Sequence, residues 1–302
     1  MTLAPDSTSA LFTGVLDLPG GPLDLSRHVA VMAIVNRTPD SFYDRGATFA
    51  LDAAVTAGVA AVAAGAEIVD VGGVKFAPGP AVTVEEEIAR VVPVVRELAP
   101  IARVSVDTFQ PEVARAAIEA GAAIINDTTG LHDPAMADVI AQGGAGVVIA
   151  HSLAAPRTQH PLPRYEDVIG DIAGFLAARR ELARERGVPD ARIVLDPGHD
   201  LNKSTRQTLE LTRRLGELAG LGAPLLVALS NKDFVGETLD RARGERLSGS
   251  LAAAVFCVLQ GARIVRAHNV RETVDAMRMV EAILGWREPV LELHNARAEG
   301  NR

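Results

Sequence analysis

The sequence predicts an α/β chain folded as a single (β/α)8 barrel. Three observations carry this. Eight short β-rich runs alternate with eight amphipathic helical stretches at fairly even spacing. The chain has 302 residues and no linker or low-complexity tract, which suits one barrel of about 250 residues plus extensions. Polar side chains close nearly every apolar run, as they do where a barrel gathers its chemistry at one mouth.

In chain order, the segment 11–25 is expected to form a small hairpin under the barrel floor, turning at Pro19-Gly20-Gly21-Pro22. Residues 1–27 are therefore read as an N-terminal extension. The barrel proper spans 28–286. Its strands are placed at 28–36, 67–73, 103–108, 124–128, 146–151, 192–198, 224–230 and 263–268. Helices fill the gaps at 51–64, 84–98, 111–120, 134–142, 165–186, 205–219, 250–259 and 270–284. Near-continuous apolar strands between amphipathic helices argue for a parallel sheet covered on its outer face. A doubly wound open sheet competes, but it needs a glycine-rich phosphate turn after an early strand, and Gly72-Gly73-Val74-Lys75 does not supply one. The polar tail 287–302 is expected to fray.

Composition narrows the function classes. Net charge is −8, from 38 acidic against 30 basic residues, so a nucleic-acid partner is not expected and anionic membranes are disfavoured. Aromatic residues at 4% are too few for a base-stacking surface. No basic-then-apolar leader opens the chain and no apolar run is long enough to span a bilayer, which predicts a cytoplasmic protein. The single cysteine, Cys257, lies in an apolar helical run and reads as core packing rather than as a nucleophile.

The strand ends carry Asn36, Asp70, Asp107, Asn126, His151 and Asp196, then Ser230 with Lys232, then Arg266 with His268. Any one of Asp107-Thr108 or Asn126-Asp127 could simply cap the helix that follows. Capping gives no reason for Lys232, Arg266 and His268. As a set, two carboxylates and a carboxamide suit a planar heterocycle with ring N–H and amine donors, and two cations at the rim suit an anion. Buried polar groups cost about 1–3 kcal/mol each when unpaired, so the cluster expects a ligand or ordered water.

The run Asn36-Arg-Thr-Pro-Asp-Ser-Phe-Tyr-Asp-Arg-Gly46 resembles the signature loop of dihydropteroate synthases, usually Asn-Val-Thr-Pro-Asp-Ser-Phe-Ser-Asp-Gly-Gly. The strings Ser105-Val-Asp-Thr108, Ile125-Asn-Asp127, Leu195-Asp-Pro-Gly198 with Lys203, Arg246-Leu-Ser-Gly-Ser250 and Arg266-Ala-His268 match further motifs of that family in order and spacing. The resemblance implies a magnesium-dependent enzyme that joins dihydropterin-methyl diphosphate to p-aminobenzoate and releases diphosphate. It implies that Asp107, Asn126, Asp196 and Lys232 hold the pterin. Asn36 would lie near magnesium and diphosphate, and Arg266 with His268 would hold the diphosphate. It also implies a homodimer formed by outer helices of the barrel's second half, with which the apolar run 251–258 is compatible.

Several loops depart from the family. Its second loop reads Gly-Gly-Glu-Ser-Thr-Arg-Pro-Gly; here it is Gly72-Gly-Val-Lys-Phe-Ala-Pro-Gly79. Ala77 stands where an arginine should clamp diphosphate, and Phe76 where a threonine helps enclose p-aminobenzoate. A charge-assisted hydrogen bond contributes about 1.5–3 kcal/mol, so Ala77 alone is expected to cost one to two decades. In the seventh loop, Asn231 and Asp233 replace family residues. Asp233 is expected to repel an incoming carboxylate, by about 1 kcal/mol in water and about 4 at an effective dielectric of 20, for charges ~4 Å apart. The sixth loop, usually Phe-Gly-Phe-Gly-Lys, is His199-Asp-Leu-Asn-Lys203, which predicts an altered backbone there. Asn269 replaces an aspartate.

The losses fall on the diphosphate and aminobenzoate ends while the pterin-facing set is kept. The chain is therefore read as a dihydropteroate synthase homologue, impaired or inactive in that reaction, that retains a pocket for a pterin or another anionic small molecule. Two alternatives stand beside it. One is a working synthase in which Lys75 and Arg37, a cation where the family has valine, rebuild the anion site. The other is a non-catalytic ligand-binding protein. A corrinoid-type methyltransferase barrel is disfavoured by the signature loop.

Overall fold

The computed structural model describes residues 14–37, 50–76, 78–154, 157–158 and 164–294. A two-residue hairpin, β1 (Val15–Leu16) and β2 (Leu23–Asp24), comes first. Eight parallel strands follow: β3 (Ala30–Asn36), β4 (Ile68–Gly72), β5 (Arg103–Asp107), β6 (Ile124–Asp127), β7 (Gly146–Ala150), β8 (Ile193–Asp196), β9 (Leu225–Ala228) and β10 (Ala262–Ala267). They close in sequence order, with β10 pairing β3. The helices are α1 (Leu51–Ala63), α2 (Val84–Leu98), α3 (Pro111–Glu119), α4 (Ala135–Gly143), α5 (Val168–Glu185), α6 (Thr205–Arg213), α7 (Asp233–Leu239), α8 (Leu247–Leu259) and α9 (Val270–Ile283). The chain is thus the (β/α)8 barrel that the alternation of runs predicts.

Period-two alternation builds two cores from one set of strands. Val31, Val69, Val71, Val104, Val106 and Val147 face the helices and join the outer layer. Met32, Ile68, Ile124, Val148, Val194, Leu226 and Ile264 point inward. The hairpin's Leu16, Leu18, Leu23 and Leu25 pack into that inner cluster and plug the floor.

Two details differ from the helix pattern expected. The stretch expected as one helix over 205–219 breaks after Arg213 and continues as a 3-10 segment, Leu215–Leu221; Gly216 and Gly220 within it weaken an α-helix. The short helix α7 lies in the loop after β9, where seven residues are too few to show a period.

A buried ion network closes the seam between the first and last barrel elements. Glu281 of α9 is 1% exposed. Its Oε1 accepts the Val29 N–H at 2.8 Å and Arg278 at 2.7 Å, and its Oε2 accepts Arg287 at 2.9 Å. Glu67 accepts the Val31 N–H at 2.8 Å and pairs with Arg278. The two ring nitrogens of His28 lie 3.0 Å from Glu67 and 3.0 Å from Glu281. Those carboxylates raise the imidazole to about 9 against burial, while Glu281 is held down at about 2, the hydrogen bond from His28 leading the groups that overcome its burial.

Candidate functional site

The C-terminal ends of β4, β5, β6, β8 and β10 bring Asp70, Asp107, Asn126, Asp196 and Arg266 into one charged cluster at the mouth. Arg266 Nε donates to Asp70 Oδ2 at 2.6 Å, and its Nη2 to Asp107 Oδ2 at 3.1 Å. Asn126 Nδ2 donates to the same Asp70 oxygen at 3.2 Å. Among the described residues, Asp70 Oδ1 and Asn126 Oδ1 are buried without a hydrogen-bond partner. These acceptors are what a heterocycle rich in N–H donors would satisfy.

Burial raises the Asp107 carboxyl to about 7; Arg266 opposes the shift, while Asp70, Glu87 and Asp127 add to it. At neutral pH this group can therefore either accept or donate a hydrogen bond. Asp196 is likewise raised by burial, against the pull of its bond from the Gly198 N–H (2.7 Å) and of Lys232, Arg266 and Lys203. Lys232 is lowered by burial, with Asp200 and Asp196 opposing. The four residues expected to face a pterin thus share one network of charge. Asp127 and Thr108 brace the turns after their strands, while the helices that follow begin at Gln110 and Pro134 without a side-chain cap. Asp127 accepts the N–H groups of Thr129 and Leu131, and Thr108 Oγ1 accepts that of Gln110.

Arg266 is the residue that the resemblance assigns, with His268, to the diphosphate. Two of its nitrogens are engaged by carboxylates, so it acts as the internal counter-charge of the cluster. Asp70, its strongest partner, is fully buried; among the expected polar strand ends it had no assigned role, because nothing in the sequence names its partner. The His268 N–H donates to Ser230 Oγ at 3.2 Å, tying β10 to the end of β9. Asn36 stands at the end of β3 with its carboxamide oxygen beside Gly72, where a Cβ would approach it to 3.2 Å.

The sixth loop corrects an expectation. Asp200 and Asn202 stand where the family has glycines, yet both keep left-handed backbone, with φ of 63° and 52°. Asp and Asn tolerate that region better than other side chains, so the backbone is not altered in the way expected. Their side chains add ties that glycine lacks. Asp200 accepts the Phe234 N–H of α7 at 3.2 Å and the Thr208 hydroxyl of α6 at 3.3 Å. Asn202 Oδ1 accepts Leu153 N, Ala154 N and Ser152 Oγ in the fifth loop. Gly198 keeps its glycine, since a Cβ there would lie 2.1 Å from the His151 carbonyl. Lys203 Nζ lies 3.0 Å from His151 Nδ1 and donates to the carbonyls of Gly198 and Leu201. Burial lowers Lys203 to about 7 and His151 to about 3, so the imidazole is neutral and its Nδ1 can accept.

Asp233 also behaves otherwise than its charge alone predicts. It is 60% exposed and paired with Arg246 at 2.8 Å and Arg243 at 3.5 Å, so its field on an incoming carboxylate is largely offset. Arg246 further donates to the carbonyls of Asn231 and Lys232 and shapes that turn. Asn231 adopts left-handed backbone, φ 59°.

Arg37 and the second loop bear on the lost anion site. Arg37 Nη1 donates to the carbonyls of Ala89 and Arg90 on α2, at 3.0 and 2.7 Å, which commits part of its guanidinium to the outer helix. Phe76 and Lys75 are half-buried; Ala77 and the signature-loop residues 38–46 lie outside the described residues. The fifth loop clasps the second. Arg157 N–H donates to the Phe76 carbonyl at 3.0 Å, Gly79 N–H to the Arg157 carbonyl at 3.4 Å, and the Arg157 side chain to the Pro80 carbonyl. A cavity of about 480 Å³ opens to one side of the mouth, lined in part by Phe109, Gln110, Thr129, His132, Leu153 and Arg179; it contains none of the four pterin-facing candidates.

Residues 32–268 match the pterin binding enzyme family. The chain belongs to that family. Among its pterin binding relatives, "Inactive dihydropteroate synthase 2" of Mycobacterium leprae is 46% identical over 280 residues, covering 90% of this chain and 96% of that protein. Dihydropteroate synthase of Escherichia coli K12 is 42% identical over 272 residues, covering 89% and 96%. The crystal structure of Yersinia pestis dihydropteroate synthase with a sulfonamide drug complex superposes with a TM-score of 0.85 at 39% identity, covering 90% of this chain and all of that one. The chain is therefore a dihydropteroate synthase homologue within the pterin binding enzyme family. Among the described residues, no helix is long and apolar enough to cross a membrane.

Proposed function

We propose that this chain is a dihydropteroate synthase paralogue that binds a pterin-type small molecule but joins dihydropterin-methyl diphosphate to p-aminobenzoate weakly or not at all. The observation that carries this is a contrast within one barrel mouth. The acceptor set of Asp70, Asp107, Asn126 and Asp196 is assembled around Arg266, with two buried oxygens unpartnered among the described residues. The arginine expected to clamp the leaving diphosphate is replaced by Ala77, and Arg37 spends hydrogen bonds on α2. Heterolysis of the carbon–oxygen bond depends on stabilising negative charge on the leaving group, so that end decides the rate. The name of the Mycobacterium leprae relative points the same way.

In this reading Asp107, Asn126, Asp196 and Lys232 hold the heterocycle, while His268 and Lys75 face the anionic end. Magnesium would contact the carboxamide oxygen of Asn36, a hard donor suited to that ion. Among the described residues no group of three or more His, Cys, Asp or Glu could hold a metal. Its contribution when bound would be to neutralise the departing charge. We also place the protein in the cytoplasm as a homodimer. Leu259 of α8 and Met279 and Ile283 of α9 are 43%, 61% and 71% exposed, apolar surface of the kind that a partner helix covers.

Calorimetric titration with dihydropterin-methyl diphosphate and magnesium, followed by p-aminobenzoate and a diphosphate-release assay, tests the proposal. Pterin binding with turnover reduced at least a hundredfold from the Escherichia coli enzyme supports it. Turnover within tenfold of that enzyme would establish the second reading, a working synthase, which Lys75 in the second loop favours.

A further inference from the structure

We propose that the cavity beside the barrel mouth is a second binding site, in which Arg179 holds the carboxylate of a small aromatic monoacid. The cavity lies between the loops after β5, β6 and β7 and the middle of α5, and none of the four pterin-facing candidates lines it. The site goes beyond the pterin reading and does not rest on it.

Arg179 is half-buried in the wall of this cavity. Two contacts fix its head. The guanidinium carbon lies 5.2 Å from the centre of the Phe175 ring, one turn earlier on α5, and Nη1 donates to the Leu131 carbonyl at 3.2 Å. Among the described residues Nε and Nη2, one whole edge of the planar fork, have no partner, and no carboxylate pairs with Arg179. Its neighbour in sequence, Arg180, is by contrast paired with Asp190 at 2.9 Å. Asp127 feels the Arg179 charge, but its oxygens are spent, Oδ1 on the N–H and hydroxyl of Thr129 and Oδ2 on the Leu131 N–H. A positioned guanidinium edge binds a carboxylate through two parallel hydrogen bonds.

The rest of the cavity narrows the ligand. A volume of about 480 Å³ suits a small molecule rather than a bare ion. Phe109, Pro111, Leu153 and Ala154 give it apolar wall, and an aromatic body can meet the Phe109 ring face to edge or offset. The neutral polar side chains are largely committed elsewhere. The Thr129 hydroxyl donates to Asp127, the Ser152 hydroxyl is engaged by Asn202 and the Ala154 carbonyl, and Gln110 Nε2 donates to Glu87. An uncharged polar ligand would therefore find few partners, and the guanidinium dominates recognition. The start of α3 adds to that preference, since Gln110 and Pro111 line the cavity and no side chain caps the helix, which leaves the positive end of its dipole uncovered. Glu112 and Asp133 set the upper limit on charge. Both line the cavity and are exposed, and they repel a second negative charge, which disfavours a phosphate dianion. One carboxylate on a flat apolar body is the chemistry that matches this set.

The test is calorimetry on the full-length protein with three probes that share one ring system: 2-naphthoate, 2-naphthamide and 2-naphthyl phosphate. Wild type should bind the carboxylate about tenfold or more tightly than the amide, and more tightly than the phosphate. Arg179→Gln should weaken naphthoate about tenfold or more and leave naphthamide within about threefold. Leu153→Trp, at a position already 47% exposed, places bulk at the cavity and should weaken both. A carboxylate that binds no better than the amide, or does not bind, overturns the proposal, and so does a preference for the phosphate. Naphthoate affinity unchanged in Arg179→Gln would put the probe elsewhere in the barrel and overturn the site. Pterin affinity should be unchanged in Arg179→Gln; a parallel loss would make the cavity part of the pterin site rather than a second one. If Arg179→Gln does not fold, Leu153→Trp decides, and naphthoate affinity equal to wild type in that variant overturns the proposal.

Discussion

The guanidinium of Arg37 donates to the carbonyl of Ala89 across 3.0 Å, and Pro93 is why that carbonyl is available. Pro93 lies inside α2, four residues after Ala89, and has no N–H to close the helical bond. Arg37 supplies the missing donor from the end of β3. The cation thus stabilises a helix that proline would otherwise leave with an orphaned acceptor.

This relationship predicts a structural phenotype for Arg37→Ala. Loss of hydrogen bonds from a charged donor should destabilise the fold by about 1–2 kcal/mol, lowering Tm by a few degrees. In a Pro93→Ala background the cost should shrink, because an alanine in place of the proline would bring its own N–H to the Ala89 carbonyl. A double-mutant cycle by urea unfolding measures the coupling. Phosphate affinity should remain within twofold of wild type; its loss would show that Arg37 serves the anion site after all.

Asp107 predicts a pH dependence for ligand binding. Its carboxyl is raised to about 7, chiefly by burial, so the acceptor form gains population as pH rises from 6 to 8. Affinity for a pterin that donates to this carboxylate should rise severalfold over that interval and flatten above it. Asp107→Asn should bind more weakly and lose the slope. Calorimetric Kd values at four pH settings check this, and an unchanged slope in the variant would assign the titration to another group.

Arg266 joins that site to stability. Removing it in Arg266→Met leaves Asp70, which is fully buried, without its closest counter-charge. Stripping one partner from a buried pair typically costs about 3–5 kcal/mol. The Asp107 carboxyl should also rise further, since Arg266 is the group that holds it down most. Urea unfolding of Arg266→Met against the double variant Arg266→Met with Asp70→Asn should show partial recovery in the latter.

The barrel was legible in the sequence because its cause is local. Alternating Val, Ile and Leu in short runs specify strands with two buried faces, and turn residues punctuate them. The site was legible only as a row of polar strand ends. That Asp107, Asn126, Asp196 and Arg266 form one network follows from closure of the barrel, which brings residues 70 and 266 together. Long side chains were the least readable. Arg37 belongs to an anion site only in one alternative reading of the sequence, and its bond to the carbonyl that Pro93 leaves open is visible only in the fold. Asp200 and Asn202 were read as glycine losses, whereas their short side chains tolerate the same backbone and add bonds across loops. Asp233 carries the charge its sequence implies, but the effect of that charge depends on Arg246, beyond the end of α7.

The seam around His28 should make stability fall at high pH. Its folded value of about 9 exceeds the ordinary 6.5, so its contribution is complete below about 6.5 and is lost as pH rises through 9. Glu281 has the opposite sense: held at about 2 against an ordinary 4.5, it contributes above 4.5 and loses that contribution as pH falls through 2. Urea unfolding of wild type and His28→Gln at pH 6.0 and 9.5 should therefore give a gap that narrows at the higher pH. A constant gap would mean that His28 acts through packing rather than charge.

Asn202 separates backbone from side chain in one position. Its φ of 52° costs a non-glycine residue about 1–2 kcal/mol unless the side chain compensates, and its oxygen accepts three donors of the fifth loop. Asn202→Gly keeps the backbone comfortable and loses only the ties; Asn202→Ala loses both. Alanine should therefore be the more destabilising by about 1 kcal/mol. Both variants should expose the Leu153 and Ala154 amides to faster hydrogen exchange, because the bonds holding them are gone in each. Equal stability of the two variants would mean that the turn relaxes out of its left-handed conformation when the asparagine is removed, and that the side chain, rather than the fold around it, maintains the glycine-like backbone of this loop.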